Sequence, residues 1–148
     1  MDRRVTPPLA IRLASPQSAA ARSLMDELSA TLNVLTGDEG RTSFDPVRTV
    51  GAGGCFAIAY AVPDGTPLGC GALQPLAPDV VELKRLYARP GTQGVGAALL
   101  RFLEQQACAC GYRQVWLSTR RVNLRAVAFY RRHGYLPVAP YRHYRNRP

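Results

Sequence analysis

Residues 80–100 read Val80-Val81-Glu82-Leu83-Lys84-Arg85-Leu86-Tyr87-Ala88-Arg89-Pro90-Gly91-Thr92-Gln93-Gly94-Val95-Gly96-Ala97-Ala98-Leu99-Leu100, and the pattern changes period within them. Val80 to Ala88 predicts a strand. Strict alternation would put Val81, Leu83, Arg85 and Tyr87 on one face and Glu82, Lys84, Leu86 and Ala88 on the other. Pro90 to Gly96 is a glycine-rich loop. Val95, Leu99, Phe102, Leu103 and Ala107 then recur at helical spacing as far as Gly111. A strand therefore feeds a glycine-rich loop that opens a helix. The first N–H groups of a helix have no internal partners and lie at the positive end of its dipole, which makes such a loop a cradle for phosphates. It is not a P-loop, because the Gly-Lys-Ser/Thr ending is absent. The glycine spacing is not that of a dinucleotide-binding turn, and the strand before it follows a hairpin.

Upstream, Cys55–Val62 and Leu68–Leu76 read as strands joined by the turn Pro63-Asp64-Gly65-Thr66, and with Val80–Ala88 they make an antiparallel meander. Residues 37–53 read as a long loop with room for a short helix. Before it, Ala21, Leu24, Met25, Leu28, Leu32 and Leu35 mark a helix with its N-cap at Ser15-Pro16, and residues 9–14 a short strand. Downstream, Val115-Trp116-Leu117 reads as a buried strand and Asn123 to His133 as a helix ended by Gly134. Tyr135 to Tyr144 offers one or two short final strands. The order β-α-loop-β-β-β-α-β-α-β describes an α/β fold, a mostly antiparallel mixed sheet flanked by helices. It forms one domain over residues 1–148, with 1–8 flexible.

The 148 residues have no apolar run of the roughly 18 residues that span a bilayer, and the first eight residues lack the apolar core of a secretory signal. The four cysteines are too few for a disulfide scaffold, and no Cys/His group has zinc spacing, so neither metal nor membrane is expected and a cytoplasmic setting fits. Cys108 and Cys110 point different ways on a helix. Cys55 and Cys70 read as buried apolar residues on strands, without the His/Asp context of an acyl-enzyme nucleophile. Residues 1–104 carry ten basic and ten acidic side chains, so the net charge of +9 lies entirely in nine arginines after residue 104. Either arginine-rich codon usage or attraction to a polyanion explains it.

The Glu82–Pro90 run, the Gln93-Gly94-Val95-Gly96 loop and Ala97-Ala98-Leu99-Leu100 resemble the acetyl-CoA-binding core of the GCN5-related N-acetyltransferases (GNAT superfamily). Asn123, Ala126 and Tyr130 are similar to that family's Asn-x-x-Ala-x-x-x-Tyr helix. His133-Gly134-Tyr135 resembles its Gly-aromatic exit, and Gly69-Cys70-Gly71-Ala72-Leu73 a strand of its small bacterial single-domain members. The likeness runs in order from about residue 9 to 144. The family loop reads Pro-x-x-Arg/Gln-Gly-x-Gly-x-Gly/Ala. Either Gln93 takes the Arg/Gln place and Ala98 the last small one, or Gly94-Val95-Gly96 ends the pattern with two residues missing. The chain also stops early for the family's final strand, which would be short or come from another subunit of a homodimer.

The resemblance implies acetyl transfer from acetyl-CoA, as co-substrate, to a primary amine by direct attack. Cofactor contacts would come from Gln93, Gly94, Val95, Gly96, Ala97, Asn123, Ala126 and Tyr130, and from backbone N–H groups of Leu86, Tyr87 and Ala88 that polarise the thioester carbonyl. An amine with a pKa near 10.4 is almost wholly protonated at pH 7, so a base is required. Glu82, acting through a water, is the candidate, against a plain salt bridge to Lys84 or Arg85. Tyr130 would protonate the departing thiolate, against a core tyrosine with a satisfied hydroxyl. Asn123 would bond the CoA arm, against a helix N-cap. Two other classes stay open: a basic nucleic-acid-binding module, less favoured because no RNA-reading aromatic signature or helix-turn-helix is present, and an inactive acyl-CoA sensor. The acceptor is a small-molecule or protein amine whose pocket would come from residues 16–53 and the C-terminal strands.

Overall fold

The computed structural model describes residues 8–36, 44–49 and 53–139. Five strands form one sheet in sequence order: β1 (Leu9–Leu13), β2 (Cys55–Ala61), β3 (Pro67–Ala77), β4 (Val80–Ala88) and β5 (Gln114–Trp116). The first four are antiparallel neighbours. β5 runs parallel to β4, because α2 (Val95–Ala109) carries the chain back across the sheet between them. The other helices are α1 (Ala19–Thr36) and α3 (Leu124–Arg132), and Pro46–Thr49 forms a 3₁₀ turn. The mixed α/β architecture is the one expected.

α2 buries Val95, Leu99, Leu100, Leu103 and Ala107 against Ala57, Ala59, Leu73, Val81 and Leu83 on one face of the sheet. Each large side chain contributes roughly 1.5–3 kcal/mol by leaving water. On the opposite face α1 packs Ala21, Leu24 and Met25 on Phe56, Ile58, Cys70 and Ala72. The α1 cap is Ser18, whose Oγ accepts the Ala21 N–H at 3.3 Å, and not the Ser15-Pro16 pair, which lies in the turn before it.

Two other expectations are corrected. Residues 135–139 are in no strand, and residues 140–144 of the expected final strands lie outside the described residues. The leader 1–8, expected to be flexible, likewise lies outside them except for Pro8, whose carbonyl accepts the Val62 N–H. Trp116 is half-buried and outside both apolar clusters, whereas its neighbours Val115 and Leu117 pack on the α2 side. The register sets Trp116 beside Glu82. No helix among the described residues is long and apolar enough to cross a membrane.

Candidate active site

The expected alternation along β4 fails at Arg85. Cys70 pairs with Tyr87 and Ala72 with Lys84, so Arg85 and Leu86 together oppose Gly71 in a β-bulge. Arg85 has φ 55°, a left-handed conformation rare for a residue with a side chain. The extra residue reverses the faces. Val81 and Leu83 point to the α2 core, as do Leu86 and Ala88 beyond the bulge. Arg85 instead crosses to α1, where its guanidinium donates to the Met25 carbonyl at 2.7 Å and to the Ser29 hydroxyl. Tyr87 also faces α1, its hydroxyl 3.0 Å from Glu27 Oε1.

β5 meets β4 only at Val80, Val81 and Glu82. Beyond them, the β4 edge from Leu83 to Ala88 has no neighbouring strand on the β5 side among the described residues. The Arg89 N–H donates to the Leu68 carbonyl of β3. By the alternation of a strand beyond the bulge, the Tyr87 N–H also points to β3 and that of Ala88 faces the opening, with Leu86 in the bulge itself. Of the three expected donors, Leu86 and Ala88 lie on the stretch of β4 without a β5 neighbour, and the Tyr87 N–H lies in the ladder with β3.

The opening leads to the start of α2. Gly94 is its N-cap with φ 72° and offers no side-chain cap, so the N–H groups of Val95, Gly96 and Ala97 are the helix's own orphan donors. Gly91 (φ 83°) supplies the other left-handed turn in the loop, which only glycine adopts without strain. This donor set, uncapped and at the positive end of a fifteen-residue helix, fits a pyrophosphate. Gln93 is exposed in the loop. Leu99 and Leu100 are both core residues, as the shorter reading of the loop requires.

α3 lies beside the same opening. Its Phe129 ring stands 3.6 Å from the point where a Gly96 Cβ would be, so α3 packs on the first turn of α2. Tyr130 is packed between Phe129 and Tyr135, with ring centroids at 5.2 and 5.6 Å. Burial pushes its phenol well above the ordinary value of 10, so it holds its proton at neutral pH. Among the described residues its hydroxyl has no hydrogen-bond partner, unlike that of a satisfied core tyrosine. Asn123 is the N-cap of α3, its Oδ1 accepting the Ala126 N–H at 3.3 Å. Ala126 is half-buried in the first turn.

Glu82 is fully buried, and its carboxylate lies 3.4 Å from the Lys84 ammonium. The ion pair anticipated as its bland role is therefore present, with Lys84 as partner. Glu82 opposes Gln74 on β3, whose buried amide donates to the Asp45 carbonyl at 2.7 Å. The side chains that sequence reasoning missed share this face: Ser29, Gln74, Arg85 and Trp116. Of these, Arg85 left a signal, as the third charged residue of a largely buried strand. An open cleft of about 280 Å³ lies alongside, lined by Arg22, Met25, Asp26, Phe44, Pro46 and Arg85. No group of three or more His, Cys, Asp or Glu that could hold a metal occurs among the described residues. Burial pushes the Cys70 thiol up to about 12 and the Cys55 thiol to about 11, so neither is a ready thiolate.

A titration is legible at the edge of the site. The Arg89 guanidinium, hydrogen-bonded to Glu27, holds that carboxyl below its ordinary 4.5. A lowered carboxylate pKa stabilises the fold above the unfolded value, and the contribution is lost as pH falls through the folded one. Thermal melts between about pH 3 and 7 should show an acid-side decline that is shallower in Glu27→Gln. The pair is about one-third exposed, so salt should weaken the difference.

This arrangement can now be set beside known proteins. Residues 21–135 match the model of the acetyltransferase (GNAT) family. The chain belongs to the GNAT acetyltransferase family. An uncharacterised N-acetyltransferase of Schizosaccharomyces pombe is 33% identical to this GNAT chain over 102 residues, covering 67% of the chain but only 63% of the yeast protein. A solved structure from Klebsiella pneumoniae, classed as an acyl-CoA N-acyltransferase, is 27% identical with a TM-score of 0.72, covering 90% of this chain and 89% of that one. A GNAT acetyltransferase structure from Elizabethkingia anophelis with acetyl-CoA bound has a TM-score of 0.67 at 16% identity, over 88% and 77% of the two chains. Acetyl transfer to an amine is the general reaction of this family.

Proposed function

We propose that this GNAT chain transfers the acetyl group of acetyl-CoA to a primary amine of a small molecule or protein by direct attack. The carrying observation is the open β4 edge beside the uncapped start of α2. One element offers N–H groups for a carbonyl oxygen and the next offers them for a pyrophosphate. Acetyl-CoA would supply the activated thioester. Gln93, Gly94, Val95, Gly96 and Ala97 would cradle its phosphates. The Leu86 and Ala88 N–H groups would polarise the carbonyl, and the Asn123 amide NH₂ would steady the arm. The acceptor enters from the cleft beside Arg85. Glu82, through water, takes the ammonium proton, with Lys84 holding the carboxylate in place. Tyr130 gives its proton to the leaving sulfur. The raised thiols of Cys55 and Cys70 favour direct attack over a cysteine acyl-enzyme.

Calorimetric titration should show acetyl-CoA binding, and an acceptor screen by mass spectrometry should show amines gaining an acetyl group. The C-terminal arginines should serve the cofactor phosphate or an acidic acceptor, so duplex DNA should give no gel shift at sub-micromolar protein. Absence of binding at millimolar acetyl-CoA, together with a salt-sensitive DNA shift, would replace this reading with nucleic-acid binding. Binding without turnover of any amine would leave an acyl-CoA sensor.

A further inference from the structure

Arg89 joins four parts of the molecule. Its guanidinium grips Glu27 of α1 in a fork, Nε at 3.0 and 3.2 Å from the two carboxylate oxygens and Nη2 at 2.7 Å from Oε2. Nη1 donates to the Pro67 carbonyl at 2.8 Å, and the backbone N–H to the Leu68 carbonyl at 2.8 Å, so side chain and main chain both clamp the start of β3. Tyr87 completes the cluster by donating to the same Glu27 oxygen that receives Nε.

The fourth part is the glycine-rich loop. The Arg89 carbonyl accepts both the Thr92 hydroxyl at 2.6 Å and the Thr92 N–H at 3.3 Å. Among the described residues, these two are the hydrogen bonds that tie residues 90–93 to the body of the protein. Gly91 and Gly94 leave the backbone on either side of Thr92 free to turn. The position of one carbonyl therefore sets where the loop presents its donors. That carbonyl is held by a charged fork anchored on the opposite face of the sheet.

We propose that Arg89 is a positioning residue for acetyl-CoA and that Glu27 is its anchor. Together they tie the helix lining the acceptor cleft to the cofactor loop. The proposal rests on reading residues 91–97 as the acetyl-CoA loop. A rigid, planar fork can hold a carboxylate and a carbonyl in fixed directions at once, which the point charge of a lysine cannot do. The role is thus one of geometry and not of attraction to phosphate.

The test is a set of acetyl-CoA titrations on wild type, Glu27→Gln, Arg89→Lys, Arg89→Met and the Glu27→Gln/Arg89→Met double variant. Each is run well below its melting temperature, with folding checked by circular dichroism. The expected result is a Kd raised about tenfold in both Arg89 variants and about three- to tenfold in Glu27→Gln. The double variant should bind no worse than Arg89→Met alone, since both changes break one device. Arg89→Lys binding like wild type would mean that charge alone suffices and would overturn the proposal. So would a Glu27→Gln affinity that is unchanged or tighter, or lowered melting temperatures with every Kd unaltered. Glu27→Gln is a conservative change at a part-exposed site, so it serves even if an Arg89 variant fails to fold. Failure of the wild type to bind acetyl-CoA is a separate outcome, which removes the reading of the loop itself and the proposal with it.

Discussion

Replacing Tyr130 with phenylalanine should lower kcat by at least about tenfold, within or approaching the 10²–10⁴-fold typical of general acid catalysis. Expulsion of a thiolate places charge on sulfur in a site partly closed to water. A phenol that keeps its proton at neutral pH can donate as that charge forms. The substitution removes one oxygen and leaves the ring between Phe129 and Tyr135. Because the hydroxyl has no protein partner among the described residues, its loss orphans no buried group there, and the melting temperature should hold. Acetyl-CoA affinity should change little, the pattern of an interaction made mainly in the transition state. Steady-state kinetics, a thermal melt and a binding titration decide the matter. A variant that melts lower yet acetylates at the wild-type rate would return Tyr130 to a packing role.

Gly69→Ala should produce the largest loss of stability. Gly69 lies on β3 where that strand passes beneath the start of α2. A Cβ there would sit inside van der Waals contact of the Tyr87 carbonyl oxygen and 2.8 Å from Val95 Cγ1. The first of these is backbone of the paired strand and cannot turn aside. Overpacking of this kind costs about 3 kcal/mol, at the upper end of the usual range. For a chain of this size that is a fall in Tm of roughly 6–12 °C. Gly71→Ala is the internal comparison. Its Cβ would meet the Leu103 and Leu86 side-chain ends at 2.7 and 3.1 Å, which can shift, so a smaller fall is expected. Equal losses from the two variants would show that backbone contact is not the deciding factor. Gly69→Ala should also weaken acetyl-CoA binding, because Val95 is the first residue of the helix whose N–H groups are proposed to hold the phosphates.

Spacing along the chain was enough for the order of β1 to α3, though not for the absence of a strand over residues 135–139. The spacing of Val95, Leu99, Leu103 and Ala107 defines α2, and the turn at Pro63–Thr66 joins two strands. The glycine-rich loop between β4 and α2 and the position of Tyr130 on α3 were legible because local pattern and motif act over a few residues. The features that spacing could not reveal lie at β4. Alternation predicted Arg85 and Tyr87 on the Val81 face; the bulge put them on the other, beside α1. A bulge depends on the register with β3 across the sheet and on a guanidinium reaching α1, and neither is written in the spacing of β4 itself. The short pairing of β5, which ends at Glu82 and leaves the rest of the β4 edge without a strand on that side among the described residues, is likewise a property of two strands diverging in space. So is the tie from Glu27 to Arg89, which are 62 residues apart in sequence and 2.7 Å apart in the fold. Hydrophobic periodicity reports which face a residue buries. It carries no record of which distant partner a polar group meets, and in this chain those partners shape the site.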